Sequence, residues 1–210
     1  MFDKCKHKIE ALLTLQTKEI FLQRIESNLV SNDPQGRILA LKVLSYLPSL
    51  LTTRLNVQHL ILHILTTTQD AKERHVATQT IQQISSSSDL FAKSIMSQIE
   101  VRILSDHDYF SKDTCAELIA AMANVPGDTS TVLMFYETIT KLYEHRQDLK
   151  PSLLRSLLRM TLKAPILFDL VIDFVKDVPE AVEVLSKKYQ IEEALIATID
   201  TVEKTMIQAN

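Results

Sequence analysis

Apolar residues recur along this chain at the spacing of one helix face. Val132, Phe135, Tyr136, Ile139, Leu142 and Tyr143 fall at i, i+3, i+4, i+7, i+10 and i+11, which stacks them on one side of a 3.6-residue period. Phe91, Ile95, Ile99 and Ile103 repeat the pattern in mid-chain, and Ile191, Leu195, Ile199, Val202 and Met206 near the C-terminus. Ile9, Leu12 and Leu13, then Phe21, Ile25 and Leu29, do the same near the start. No segment alternates as a half-buried strand would. The breaks are short: Asn32-Asp33-Pro34, Gln69-Asp70, Ser85 to Ser88, Val125-Pro126-Gly127-Asp128, Lys150-Pro151, Ala164-Pro165 and Val178-Pro179. They predict about eleven helices with short connections.

Asp33 followed by Pro34 reads as an N-cap and the first helical residue, where the missing proline N–H costs nothing. Asp70 reads as a second N-cap, and Asp106, Asp108 or Ser111 as the cap of a later helix. The four-serine run reads as a loop ending in a cap. A regulatory phosphorylation site is the alternative there.

Comparing the chain with itself at an offset of 37 residues aligns two segments without gaps. Asp33 meets Asp70, Arg37 meets Arg74, Ala40 meets Ala77, Leu44 meets Ile81 and Leu47 meets Ile84; upstream, Ile25 meets Leu62. A third copy, one residue later in phase, places Asp108, Lys112, Cys115, Ile119 and Met122 at the same points, and weaker copies follow around Asp148 to Leu158. A two-helix unit has too little core to stand alone, so stacked copies bury one continuous seam. The small residue of each copy allows close helix approach, and the Asp and Arg are expected to make polar contacts within or between turns. The fold predicted is all-α, a right-handed α-solenoid of HEAT/armadillo-like helical hairpins. It forms one domain over 1–210 with about five helix pairs.

Composition sharpens this. Only two of the 210 residues are glycine, Gly36 and Gly127, where average usage gives about fifteen. Phosphate-cradling loops and dinucleotide-binding turns need glycine and are excluded. Gly36 falls in a predicted first helical turn, opposite Glu73 of the next copy. The formal charge of -3 lacks the basic excess common in nucleic-acid binders, so direct nucleic-acid contact is not expected. Cys5 and Cys115 are far apart and form no disulfide framework, which fits a reducing compartment. No apolar stretch is long enough for a membrane span.

The segment Asn32-Asp33-Pro34-Gln35-Gly36-Arg37, with Leu39-Ala40-Leu41 and Leu44 after it, resembles the D-P-x-x-R turn and second helix of HEAT repeats, and Asp70-Ala71-Lys72-Glu73-Arg74 is a degenerate copy. More specifically, residues 22 to 101 resemble the N-terminal solenoid of subunit seven of the Integrator complex. The carrying segments are Arg24-Ile25-Glu26-Ser27, Ser31 to Arg37 with Leu41-Lys42-Val43-Leu44, and Asp89-Leu90-Phe91-Ala92-Lys93-Ser94-Ile95. The helical pattern from Thr114 to Leu170 is compatible with its continuation. That family's members are far longer, so the match covers at most one end of their architecture. The resemblance implies a nuclear, non-catalytic scaffold in a multisubunit assembly that cleaves nascent small nuclear RNA and other RNA polymerase II transcripts, the nuclease being a different subunit. Its partners would be other protein subunits, with no cofactor and no catalytic residue carried over. A cytoplasmic vesicle-coat or trafficking adaptor with the same solenoid is the alternative.

Candidate chemistry is sparse. His59 and His63, at i and i+4, point the same way and could begin a zinc site, but no H-E-x-x-H glutamate lies between them and no cysteine is near in sequence. They read as partly buried or solvent-edge residues. Cys115 could pair with His107, yet its place in the repeat is that of a small core residue. Glu192 and Glu193 are adjacent and project apart, so they form no acid/base pair. No nucleophile stands in a G-x-S-x-G elbow. Arg155, Arg159 and Lys163, at i, i+4 and i+8, form a basic stripe on one predicted helix. Lys4, Lys6 and Lys8 form a smaller cluster. A solvated face explains either, and the stripe is the candidate partner-binding site. Neither has the interleaved aromatics that stack on bases.

Overall fold

The computed structural model describes residues 14–47, 55–105, 109–124, 128–179, 181–183 and 185–187. Several sequence expectations lie outside these residues: the periodic faces at Ile9 to Leu13 and Ile191 to Met206, the Lys4, Lys6 and Lys8 cluster, Cys5, Asp106, His107, Asp108, Val125, Pro126, Gly127, Glu192 and Glu193. The chain divides into two compact units, Met1–Arg159 and Met160–Asn210.

Every regular element among the described residues is helical. In the first unit they are α1 (Leu15–Leu29), α2 (Pro34–Leu44), α3 (Leu55–Thr67), α4 (Ala71–Ser85), α5 (Asp89–Leu104), α6 (Lys112–Met122) and α7 (Thr129–His145). A 3-10 turn at Gln147–Leu149 leads into α8 (Lys150–Lys163), whose last turn counts with the second unit. The second unit continues with a 3-10 turn at Pro165–Leu167 and α9 (Phe168–Phe174). Leu167, Val171 and Val175, one turn apart, are buried there with Ala181 and Leu185.

Short oxygen-bearing side chains start six helices of the first unit. Asp33 accepts from the N–H groups of Gln35 and Gly36, each at 3.0 Å, and Asp70 accepts from Lys72 N–H at 2.8 Å. Thr14, Ser88, Ser111 and Asp128 do the same for α1, α5, α6 and α7. These bonds satisfy amide donors that the first turn leaves without an intrahelical acceptor. The serine run is therefore a helix end followed by a cap: Ser85 closes α4 and Ser88 opens α5. Asp33→Ala should cost about 1 kcal/mol, read as a lower urea midpoint at unchanged slope, and Asp33→Asn should recover most of that loss.

Helices stack in chain order as two layers. In one, α2 packs on α4 and α4 on α6; in the other, α1 packs on α3 and α5 on α7, while α1 with α2 and α3 with α4 join the layers. This is the packing of an all-α solenoid. The seam holds Leu41, Leu44, Ile61, Leu62, Ile81, Ile84, Phe91, Ile95 and Phe135, all nearly inaccessible. The faces predicted from periodicity are correct in α5, where Phe91, Ile95, Ile99 and Ile103 are all buried. In α1, Ile25 and Leu29 are buried but Phe21 remains 39% exposed at the edge of the stack.

The third repeat copy is in a different register from that expected. Ser111 caps α6, so Lys112 opens the helix instead of standing one turn in beside Arg37 and Arg74. Counted from the caps, Leu118, Ile119 and Met122 occupy the places of Ala77, Thr78 and Ile81, and all six are buried. Cys115 is still a core residue, 1% exposed. Gly36 is helical with no positive φ; a Cβ there would stand 3.1 Å from Asp33 Oδ2, against the carboxylate that caps the same turn.

Candidate functional site

The arginine of each repeat does not pair with the aspartate of its own turn, which is engaged as a cap. It reaches into the next repeat. Arg37 of α2 donates through Nε and Nη2 to the two carboxylate oxygens of Glu73 in α4, the second bond at 3.0 Å, and through Nη1 to the Ser31 carbonyl at 2.7 Å. Glu73 is completely buried and also accepts from the Thr68 hydroxyl. The Glu73 hydrogen bonds hold the Arg37 pKa above its ordinary value. Two-pronged arginine–carboxylate pairing fixes geometry as well as charge.

Similar polar staples join other successive helices of the same layer. Thr80 of α4 donates to the Leu41 carbonyl of α2 at 3.1 Å. Ser94 and Gln98 of α5 both donate to the Gln58 side-chain oxygen of α3. Glu100 of α5 accepts from Thr138 and Lys141 of α7, and Arg146 donates to the Ile103 carbonyl at the end of α5. Arg146 also forks onto Asp148, both bonds at 2.9 Å. That fork, helped by the nearby charges of Arg146 and Lys112, holds the Asp148 carboxyl below the usual range.

Where α4 meets α6 the staple is weaker. Arg74 donates through Nε alone to Glu117 Oε1 at 3.1 Å, and Glu117 Oε2 is buried with no hydrogen-bond partner. Beside this pair opens a cleft of about 470 Å³, walled by Thr68, Arg74, Tyr109, Lys112, Thr114 and Arg146 among others. Sequence reasoning did not single out this cleft, because its walls come from the α3–α4 turn, the start of α6 and the segment after α7. The only sequence signal was the Arg37–Arg74 match.

On α8, Arg155 and Arg159 are exposed on successive turns, and Lys163 is exposed one turn later. Leu153, Ser156, Leu157 and Met160 form the buried side of the same helix, so the stripe stands on its solvent side. His59 and His63 are both exposed on α3, solvent-edge residues as expected, with His59 Nδ1 3.5 Å from Arg102 Nη2. Among the described residues no three His, Cys, Asp or Glu side chains gather as metal ligands do, and no helix is long and apolar enough to cross a membrane. Cys115 Sγ faces the Phe110 carbonyl inside the core.

Helices stacked in two layers in the first unit, most of them capped and stapled from one repeat to the next, define a helical-repeat protein. The family model of the N-terminal region of Integrator complex subunit 7 matches residues 1–194. The chain belongs to that family. Comparison with curated proteins and with solved structures gave no match.

Proposed function

We propose that this protein is a non-catalytic, protein-binding scaffold that serves a nuclear, Integrator-type RNA-processing and transcription-regulating complex. The observation that carries this reading is the family match over residues 1–194. The helical stack supports it, since repeat arrays of this kind bind through extended faces with a few buried anchors. In this reading the repeats run through 1–210 as one right-handed HEAT-like domain of about five helix pairs. The other protein subunits dock on its faces, and Arg155, Arg159 and Lys163 offer one of them a basic contact. Family membership favours the nuclear complex over a vesicle-coat adaptor.

Native purification of the tagged chain, with identification of the chains that accompany it, tests the assignment. Integrator subunits should co-purify; a preparation containing vesicle-coat proteins and none of those subunits would overturn it. Reversing the charge at Arg155 and Arg159 together should release at least one partner at unchanged helicity. Complete partner recovery would remove the stripe from the binding surface.

A further inference from the structure

The cleft beside Arg74 lies where two successive repeats differ at one position. In the second repeat the residue three after the cap is Glu73, and its carboxylate fills the fork of Arg37 while accepting from the Thr68 hydroxyl. In the third repeat the residue three after the cap is Thr114, which has no carboxylate to offer Arg74. Glu117, one turn further on, reaches only Nε. Among the described residues the two Nη groups of Arg74 make no hydrogen bond, and Arg74 lines the cleft together with Thr114. Lys112 and Arg146 add two more cations to the same walls; Arg146 is forked onto Asp148 and Arg74 holds Glu117 through Nε, so three cations face two carboxylates and Lys112 is the excess charge. The Thr68 hydroxyl in the same wall is spent on Glu73, but Ser111 and Thr114, whose hydroxyl oxygens are 2.9 Å apart, need only one hydrogen between them, which leaves the other for a bound oxyanion.

We infer that this cleft binds a carboxylate side chain from an acidic peptide segment of a partner protein, which meets the two Nη groups of Arg74 that Glu117 leaves without an acceptor. The earlier repeat is the template for the chemistry: a planar guanidinium edge meets two carboxylate oxygens and a neighbouring hydroxyl donates to one of them. Tyr109, 45% exposed at the rim, offers apolar surface to the flanking peptide. The site is separate from the stripe on α8 and does not depend on it.

Fluorescence anisotropy of labelled hexaglutamate, titrated with the full chain at low ionic strength, tests the inference. Saturable binding that weakens as salt is raised is expected. Lys112→Glu, a change at an exposed position, should weaken it about tenfold or more by placing a like charge against the ligand. Thr114→Glu should restore the arrangement of the second repeat within the chain, raising the thermal midpoint while abolishing peptide binding. Should that variant fail to fold, Lys112→Glu and Arg74→Gln decide the matter, each expected to lose affinity with the helical signal intact. The double reversal at Arg155 and Arg159 should leave the affinity within about twofold, so loss of the α8 contact and loss of the cleft are told apart. Absence of saturation, undiminished binding by Lys112→Glu, or loss of binding in the α8 variant would each overturn the inference. A phosphoserine hexapeptide that binds more tightly than hexaglutamate would do so too, by reassigning the cleft to phosphate.

Discussion

Glu73→Ala is expected to destabilise the first unit by about 3 kcal/mol or more, because it removes one member of a buried, two-pronged ion pair and leaves the other without compensation. The Glu73 side chain is 1% exposed against 20% for that of Arg37, so nearly the whole of Glu73 lies in the seam between α2 and α4. Its loss strands Arg37 and the Thr68 hydroxyl together. The measurement is urea unfolding followed by the helical signal, with a midpoint well below that of the unaltered chain. Arg37→Met combined with Glu73→Leu should recover most of the loss, since an apolar pair of similar volume avoids the desolvation cost of two charges. A penalty below about 1 kcal/mol for Glu73→Ala would match the median of solvent-exposed pairs and contradict the buried placement.

Phe135→Ala should have a comparable or larger effect. The ring lies in α7 at 1% exposure, beside the fully buried Ile139 and Leu142, and deleting a buried phenylalanine side chain costs about 3 to 5 kcal/mol in transfer and cavity terms. Ile139→Val, which removes one methylene from the same face, should cost about 1 kcal/mol. A graded pair of midpoints is the expected result. Equal midpoints for the two variants would mean that α7 does not close this part of the core. The Phe135 variant should also lose partner capture indirectly, through the fold.

Much of this architecture was legible in the chain because two signals coincide in it. Asp33 and Asp70 mark helix starts by side-chain chemistry, and the apolar residues after them mark the buried face by period. Both hold for α2 and α4. At α6 the two signals part. Moving the cap from Asp108 to Ser111 slides the register by three residues, which rotates a helix face by only about 60°. Cys115, Ile119 and Met122 therefore stay buried under either register, and periodicity alone cannot choose between them. The cap decides, because only Ser111 gives its oxygen to Thr114 N–H.

The cross-repeat pairs were less accessible. Asp70 and Glu73 stand at the spacing of a capping box, in which the glutamate turns back to its own helix start. The structure sends that carboxylate instead to Arg37, 36 positions earlier in the chain. A local motif cannot reveal such a partner, because the choice depends on which helix is stacked alongside. For the same reason Arg74 looked like a copy of Arg37 in sequence and differs from it in its bonds. The stripe on α8 was readable because it lies within one helix, where spacing alone fixes the face.

The polar staples named above share one property: their partners stand between 36 and 43 residues apart. Each therefore ties a helix to its successor in the same layer and skips no further. Tension applied along such a stack is borne one fastening at a time. Pulled in an optical trap, the first unit should lengthen in a series of small yields, and on release it should shorten by the same route. The first unit should therefore extend as a compliant spring, giving a little at each fastening instead of breaking all at once.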